Sequence, residues 1–219
     1  RRRAGRVTRT EIGTLAHAMG ADGQEVMRIA CRDRQLNVSP AYLRPGFAFG
    51  GSCLPKDVRA LSRFGQVQAL QLQLLHSVLE SNTAHIERGL AAIRDTGCRR
   101  IGLAGLSFKA GSDDLRESPL VALAELLVGK GYDLRIYDPG VCVSDLVGTN
   151  RTFVERHLPH LASLLVREPF ELFEHSELLV IGTGVADDIG WKTQFAGETI
   201  DLRRDLVAAS IPEPQTAFK

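Results

Sequence analysis

From Arg99 onward short apolar runs alternate with helical ones, and this alternation constrains the fold more than any other feature of the sequence. RRIGLAGLSF (99–108) reads as a strand entering a glycine-containing turn, and SPLVALAELLVGKG (118–131) as a helix opened by Pro119 and closed by glycine. LRIYDP (134–139) follows as strand, FELFEHS (170–176) as helix, ELLVIGTG (177–184) as strand and ETIDL (198–202) as strand. Strands separated by helices are joined by right-handed crossovers, which predicts a parallel, doubly wound sheet.

The first half has a different character, and the change falls near Thr96-Gly97. Ile12, Leu15, Ala16 and Met19 recur at helical spacing up to Gly20, and Val26, Ile29 and Ala30 form a second helical set. Residues 36–52 break into the irregular stretch NVSPAYLRPGFAFGGS, a long loop of the kind that carries function. A short helix is expected over 53–64. Leu72, Leu75, Leu79, Ile86, Leu90 and Ile93 then mark one stripe of a helix some 25 residues long, which outruns a small core and is expected to bridge domains or subunits.

Charge and cysteine usage exclude several classes. Five of the 27 basic residues are arginines within positions 1–9, leaving 22 Lys+Arg against 26 Asp+Glu elsewhere. A mildly acidic body does not suit a nucleic-acid partner. The four cysteines (Cys31, Cys53, Cys98, Cys142) form no C-x-x-C pair, which argues against a zinc knuckle or a disulfide framework and for a reducing compartment. No apolar run approaches the ~18 residues of a membrane span, so no membrane partner is expected and the cytoplasm is the expected location; the cysteine and histidine spacing gives no reason to expect a metal. His157 and His160 form an H-x-x-H read as structural or surface, for want of a third ligand.

The segment Gly50-Gly51-Ser52-Cys53-Leu54-Pro55-Lys56-Asp57 carries the most chemistry. Paired glycines let backbone approach another group closely, and Pro55 belongs in the first turn of a helix, where no donor is needed. Cys53 is therefore expected at a helix N-terminus, where unpaired N–H groups suit a thiolate, with Lys56 and Asp57 one turn on along the same face. Such a set is a nucleophile with a charge partner and a handler of protons or water. The alternative is a cysteine acting as a small apolar filler.

YLRPGFAFGGSCLPKDVRAL and GLSFKAGSDDLRESPL (105–120) resemble the two signature blocks of the UDP-glucose/GDP-mannose dehydrogenase family, in the same order and at a similar separation, with the GDP-mannose branch nearer than the UDP-glucose one. The resemblance implies an α/β protein: a helical central dimerisation region over 1–96, holding the cysteine loop and the long helix, and a Rossmann-like, parallel-sheet, sugar-nucleotide-binding domain over 97–219. It implies that Cys53 is the catalytic nucleophile and Asp57 its partner in handling proton or water. Lys56 and Arg116 match residues that approach NAD, and Tyr42, Arg44, Phe47, Gly50 and Lys109 match substrate-binding positions. The activity implied is NAD-dependent four-electron oxidation of a nucleotide sugar, of the GDP-mannose to GDP-mannuronate type, through a thiohemiacetal and a thioester. A homodimer or higher homo-oligomer is implied, with Arg44 crossing to the partner. The family places an NAD-binding Rossmann domain ahead of the first helix, and no G-x-G-x-x-G occurs in this sequence, since the third position after Gly182-Thr183-Gly184 is Asp187. The stretch is therefore expected to hold the thiol and substrate portion and to be inactive alone. The alternative is a non-enzymatic module that binds a nucleotide sugar or dimerises.

Overall fold

A computed structural model describes residues 11–32, 46–108, 111–142 and 145–203. Among them the chain forms two compact units, one of 11–32 and 53–82, the other of 46–52 and 83–203.

The first unit is helical. Helix α1 (11–18) closes at Gly20, whose φ of +73° lets the Ala21 N–H reach the Ala16 carbonyl and the Gly20 N–H reach that of His17. Helix α2 (Gly23–Ala30) is opened by Asp22, whose carboxylate accepts from the Gln24 N–H at 2.8 Å. Met19 and Ile29, placed on apolar helix faces by their spacing, are 61% and 57% exposed, so the apolar faces of α1 and α2 are only partly covered within this unit. Helix α3 (Leu54–Val67) ends with Ala69 at φ +51°, the left-handed position usually given to glycine. Gly65 lets Leu72 seat against α3, because a Cβ there would lie 2.6 Å from Leu72 Cδ1. Helix α4 (Gln73–Asp95) begins on a carboxylate from α1: Glu11 accepts from the N–H groups of Leu74 at 2.7 Å and Leu75 at 2.9 Å.

The long helix is 23 residues, about 34 Å, and continues into the second unit. The change of character read near Thr96-Gly97 coincides with its C-terminus, whereas compactness divides the chain within it.

The second unit is a four-stranded parallel sheet in the order β2-β1-β3-β4, built from β1 (Arg100–Ala104), β2 (Asp133–Tyr137), β3 (Leu178–Ile181) and β4 (Glu198–Asp201). Ile101 pairs with Leu134 on one side and Leu178 on the other. Side chains alternate across β1: Ile101 and Leu103 enter the main core with Leu120, Leu123 and Leu127 of α5 (Pro119–Gly129) and Ile93 of α4, while Ala104 joins a smaller cluster with Leu172 of α8 (Pro169–His175). Tyr137 and Trp191 border that smaller cluster. Between these elements lie α6 (Gly148–His157), α7 (Leu161–Leu164), α9 (Val185–Asp188) and α10 (Trp191–Gln194), none of which the sequence pattern predicts. His157 ends α6 and His160 precedes α7, so the H-x-x-H does not share a helix face. No described helix is long and apolar enough to cross a membrane.

Gly102 marks where α8 crosses β1 most closely, since a Cβ there would overlap Ser176 Oγ and lie 3.2 Å from Leu172 Cγ. The Ser176 hydroxyl donates to the Leu172 carbonyl and cannot swing away without losing that bond. Gly102→Ala is expected to cost about 1–3 kcal/mol in urea denaturation. Gly129→Ala, at a helical position with nothing within 4 Å, is expected to gain about 0.4–1 kcal/mol in the same measurement.

Candidate active site

The irregular turn 46–52 is seated on the second unit at positions that only glycine fits. A Cβ on Gly50 would overlap the Glu117 carbonyl oxygen and come within 2.6 Å of Pro119 Cδ. Gly51 has φ +93°, and a Cβ there would press to 3.3 Å on the Phe108 ring. Phe47 lies half-buried against Gly89 of α4 and the main core, and Gly89 is glycine for that ring, which would be 2.8 Å from a Cβ. The two sequence blocks that carry the family resemblance are thus brought together, 47–51 against 108 and 117–119.

Cys53 follows this turn directly. It occupies the N-cap of α3 with exposed side chain, its carbonyl accepts from the Asp57 N–H at 2.9 Å, and Pro55 fills the first turn, as the sequence predicts. None of the four cysteines is in a disulfide. Lys56 Nζ lies 3.5 Å from Asp57 Oδ1, and both side chains are mostly exposed, a pairing screened by water that leaves each able to reorient.

Arg116 is held in its own loop. Its Nε and Nη2 donate to the two oxygens of Asp114 at 2.8 Å each, and Nη1 donates to Thr149 Oγ1 at 3.1 Å. The guanidinium, foremost through these side-chain hydrogen bonds, holds the Asp114 carboxyl below the usual carboxylate range. Asn150, beside Thr149 on α6, accepts from the Leu115 N–H at 3.0 Å and donates to the Asp113 carbonyl at 2.8 Å, stapling residues 113–115. Sequence reasoning missed Thr149 and Asn150, because GTNRTFVERH has too few apolar residues to show helical periodicity. Tyr42, Arg44 and Lys109 lie outside the described residues. Among the described residues no His/Cys/Asp/Glu group could hold a metal ion.

Asp114→Asn is expected to loosen Arg116 and to cost about 0.5–1 kcal/mol near neutral pH. Because the folded carboxyl titrates below its unfolded value, this contribution is complete above the ordinary aspartate pKa of about 4 and lost as pH falls through the lowered one. Stability curves of the two proteins should therefore run parallel from pH 7 to 5 and converge below pH 4.

The chain matches the UDP-glucose/GDP-mannose dehydrogenase family, central domain, over residues 8–84, and the same family's UDP binding domain over residues 102–185. It is 47% identical over 194 residues to a GDP-mannose 6-dehydrogenase of Pseudomonas aeruginosa, an alignment covering 88% of this chain and 44% of that protein. The crystal structure of a ternary complex of GDP-mannose dehydrogenase from the same organism superposes with a TM-score of 0.85 at 44% identity, over 99% of this chain and 49% of that one. A UDP-glucose dehydrogenase from Pyrobaculum islandicum gives a TM-score of 0.60 at 25% identity, over 91% and 46%. The chain spans less than half the length of the curated relative it matches. With both signature blocks present, in order, on a helical unit and a Rossmann-like parallel sheet, the chain belongs to the UDP-glucose/GDP-mannose dehydrogenase family.

Proposed function

We propose that this chain is the thiol-bearing and substrate-binding portion of a nucleotide-sugar 6-dehydrogenase acting on GDP-mannose. The observation that carries this reading is Cys53, exposed at the start of α3 two residues beyond Gly50-Gly51, where glycine is required by close packing and a left-handed φ. Sulfur at that position adds to the carbon of a sugar aldehyde: the S–C bond forms as the carbonyl π bond breaks, and the resulting oxygen takes a proton. Oxidation of that thiohemiacetal to a thioester would need NAD as the hydride acceptor; from the thioester, water attacks the carbonyl, the C–S bond breaks, and carboxylate leaves with Cys53 regenerated. Asp57, one turn along the helix, is the proposed handler of the proton and water. Phe47 and Gly50, with Tyr42, Arg44 and Lys109, are the proposed surroundings of the sugar nucleotide. GDP-mannose is favoured over other nucleotide sugars by the names of the relatives at 47% identity.

NAD, the cofactor that the resemblance implies, finds no dinucleotide cradle among the described residues. The glycine fingerprint is missing from the sequence, and the N–H groups that follow β1 are taken by Asp138. Neither hydride transfer is assigned to a residue of this chain, and Lys56 and Arg116 are proposed only as side chains that approach the cofactor. Self-association is proposed as well: of the 23 residues of α4, only Gly89 and Ile93 are buried within the chain.

Iodoacetamide should alkylate Cys53 faster than Cys31 and Cys142, which are also exposed; equal rates at all three would remove the nucleophile. In calorimetry the chain should bind GDP-mannose more tightly than UDP-glucose, bind NAD negligibly and show no turnover by itself. Indifference to both nucleotide sugars would sink the substrate reading. Light scattering should give a mass near twice 23.9 kDa, and a monomer at high concentration would count against self-association.

A further inference from the structure

The sheet order reverses between β1 and β3, and in such sheets ligands settle in the crevice beyond the carboxyl ends of the strands at that point. Phosphates are held there by backbone N–H groups just after the first strand and by the N-terminus of the helix that follows. In this chain the turn after β1 and the cap position of α5 are filled from within. Leu106 N and Ser107 N, the second and third residues beyond β1, both donate to one oxygen of Asp138, at 2.8 and 3.1 Å, and the Ser107 hydroxyl donates to the same oxygen at 3.2 Å. The other carboxylate oxygen accepts from the Gly140 N–H at 3.0 Å. Asp138 is 3% exposed. Ser118 caps α5, accepting from the Leu120 N–H at 3.3 Å and donating to the Leu106 carbonyl at 2.7 Å. Thr183, 7% exposed and just beyond β3, packs onto Gly105, where a Cβ would overlap its hydroxyl.

We propose that Asp138 is an internal anion seated in the phosphate-receiving turn of this Rossmann-like unit, closing that turn to a dinucleotide and holding the 105–108 segment for a different ligand geometry. The acid at the end of the second strand of a dinucleotide-binding unit faces the ribose. Here the residue after β2 turns inward onto the turn amides instead. A carboxylate satisfied by three N–H donors and a hydroxyl is already solvated by protein, and a phosphate approaching the same donors meets both a steric block and a like charge. The turn therefore has a fixed shape that a ligand does not induce. That shape sets Phe108 against Gly51. This inference does not depend on the role of Cys53.

The test replaces the internal anion with an external one. In the full chain, Asp138→Ala should lower the thermal midpoint. Millimolar phosphate, pyrophosphate or acetate should restore it, and chloride at equal ionic strength should not, while the unmodified chain responds alike to all four. In amide NMR the Leu106 and Ser107 resonances of the variant should shift saturably with pyrophosphate, roughly tenfold or more tighter than in the unmodified chain. Asp138→Asn keeps the shape and one acceptor oxygen, and should fold without gaining anion-specific rescue. Two results would overturn the proposal: Asp138→Ala stabilised no better by pyrophosphate than by chloride, or Leu106 and Ser107 shifting saturably with pyrophosphate while Asp138 is in place, with and without Lys109. The second decides the matter by itself if Asp138→Ala does not fold. Because Lys109 is proposed to meet the sugar nucleotide, the pyrophosphate titration is repeated on Lys109→Ala: a saturable shift at Leu106 and Ser107 that persists there overturns this inference, whereas one lost with Lys109 reports the proposed sugar-nucleotide site and leaves the closed turn standing.

Discussion

The second unit hangs on β1, which pairs along both edges and is held at each end by a carboxylate from elsewhere in the chain. At its start, Glu177 accepts from the N–H groups of Arg99 and Arg100, at 2.9 and 3.1 Å, and those bonds hold the Glu177 carboxyl below its ordinary range. At its end, Asp138 performs the same service for Leu106 and Ser107. Glu177 precedes β3 and Asp138 follows β2, so each neighbour of β1 contributes one anchor, and a strand of five residues is fixed in register from both sides. The loop that leaves β1 inherits this rigidity, and the glycine turn 46–52 rests on it.

Strands β1 and β3 were legible because they are buried on both faces and read as continuous apolar runs, whereas the edge strands β2 and β4, with Arg135, Glu198 and Asp201, were legible only through their alternation with helices. The long helix was legible because its stripe persists for six turns. Helix α6 was not: Phe153 and Val154 are its only large apolar residues, and its place in the fold is set by what Thr149 and Asn150 hold. The exposure of Met19 and Ile29 shows the converse, that helical spacing reports a face and not what covers it.

The glycine-rich segment announced close approach correctly but not its object. Gly50 meets the Glu117 carbonyl and Gly51 the Phe108 ring, and neither partner follows from residues 43–57 alone. Cys53 at the start of α3 follows from Pro55, because proline dictates a helix's first turn wherever the helix lies. Asp138 read only as the last acid of a strand, YDP, since a side chain's turn toward backbone 31 residues away leaves no local signature.

The cap that Glu11 places on α4 has a kinetic consequence. Its two acceptor bonds join residues 63 and 64 apart in sequence, and closing a loop of that length costs roughly 4 kcal/mol of chain entropy before either bond forms. Two charge-assisted bonds offset a sum of that size only when α1 is already helical. The Glu11 bonds themselves are then expected to form late and open early, although Leu72 already seats the start of α4 on Gly65 at short separation. Nucleation of the long helix falls to its other end, where Ile93 is buried against β1 and α5 at short sequence separation.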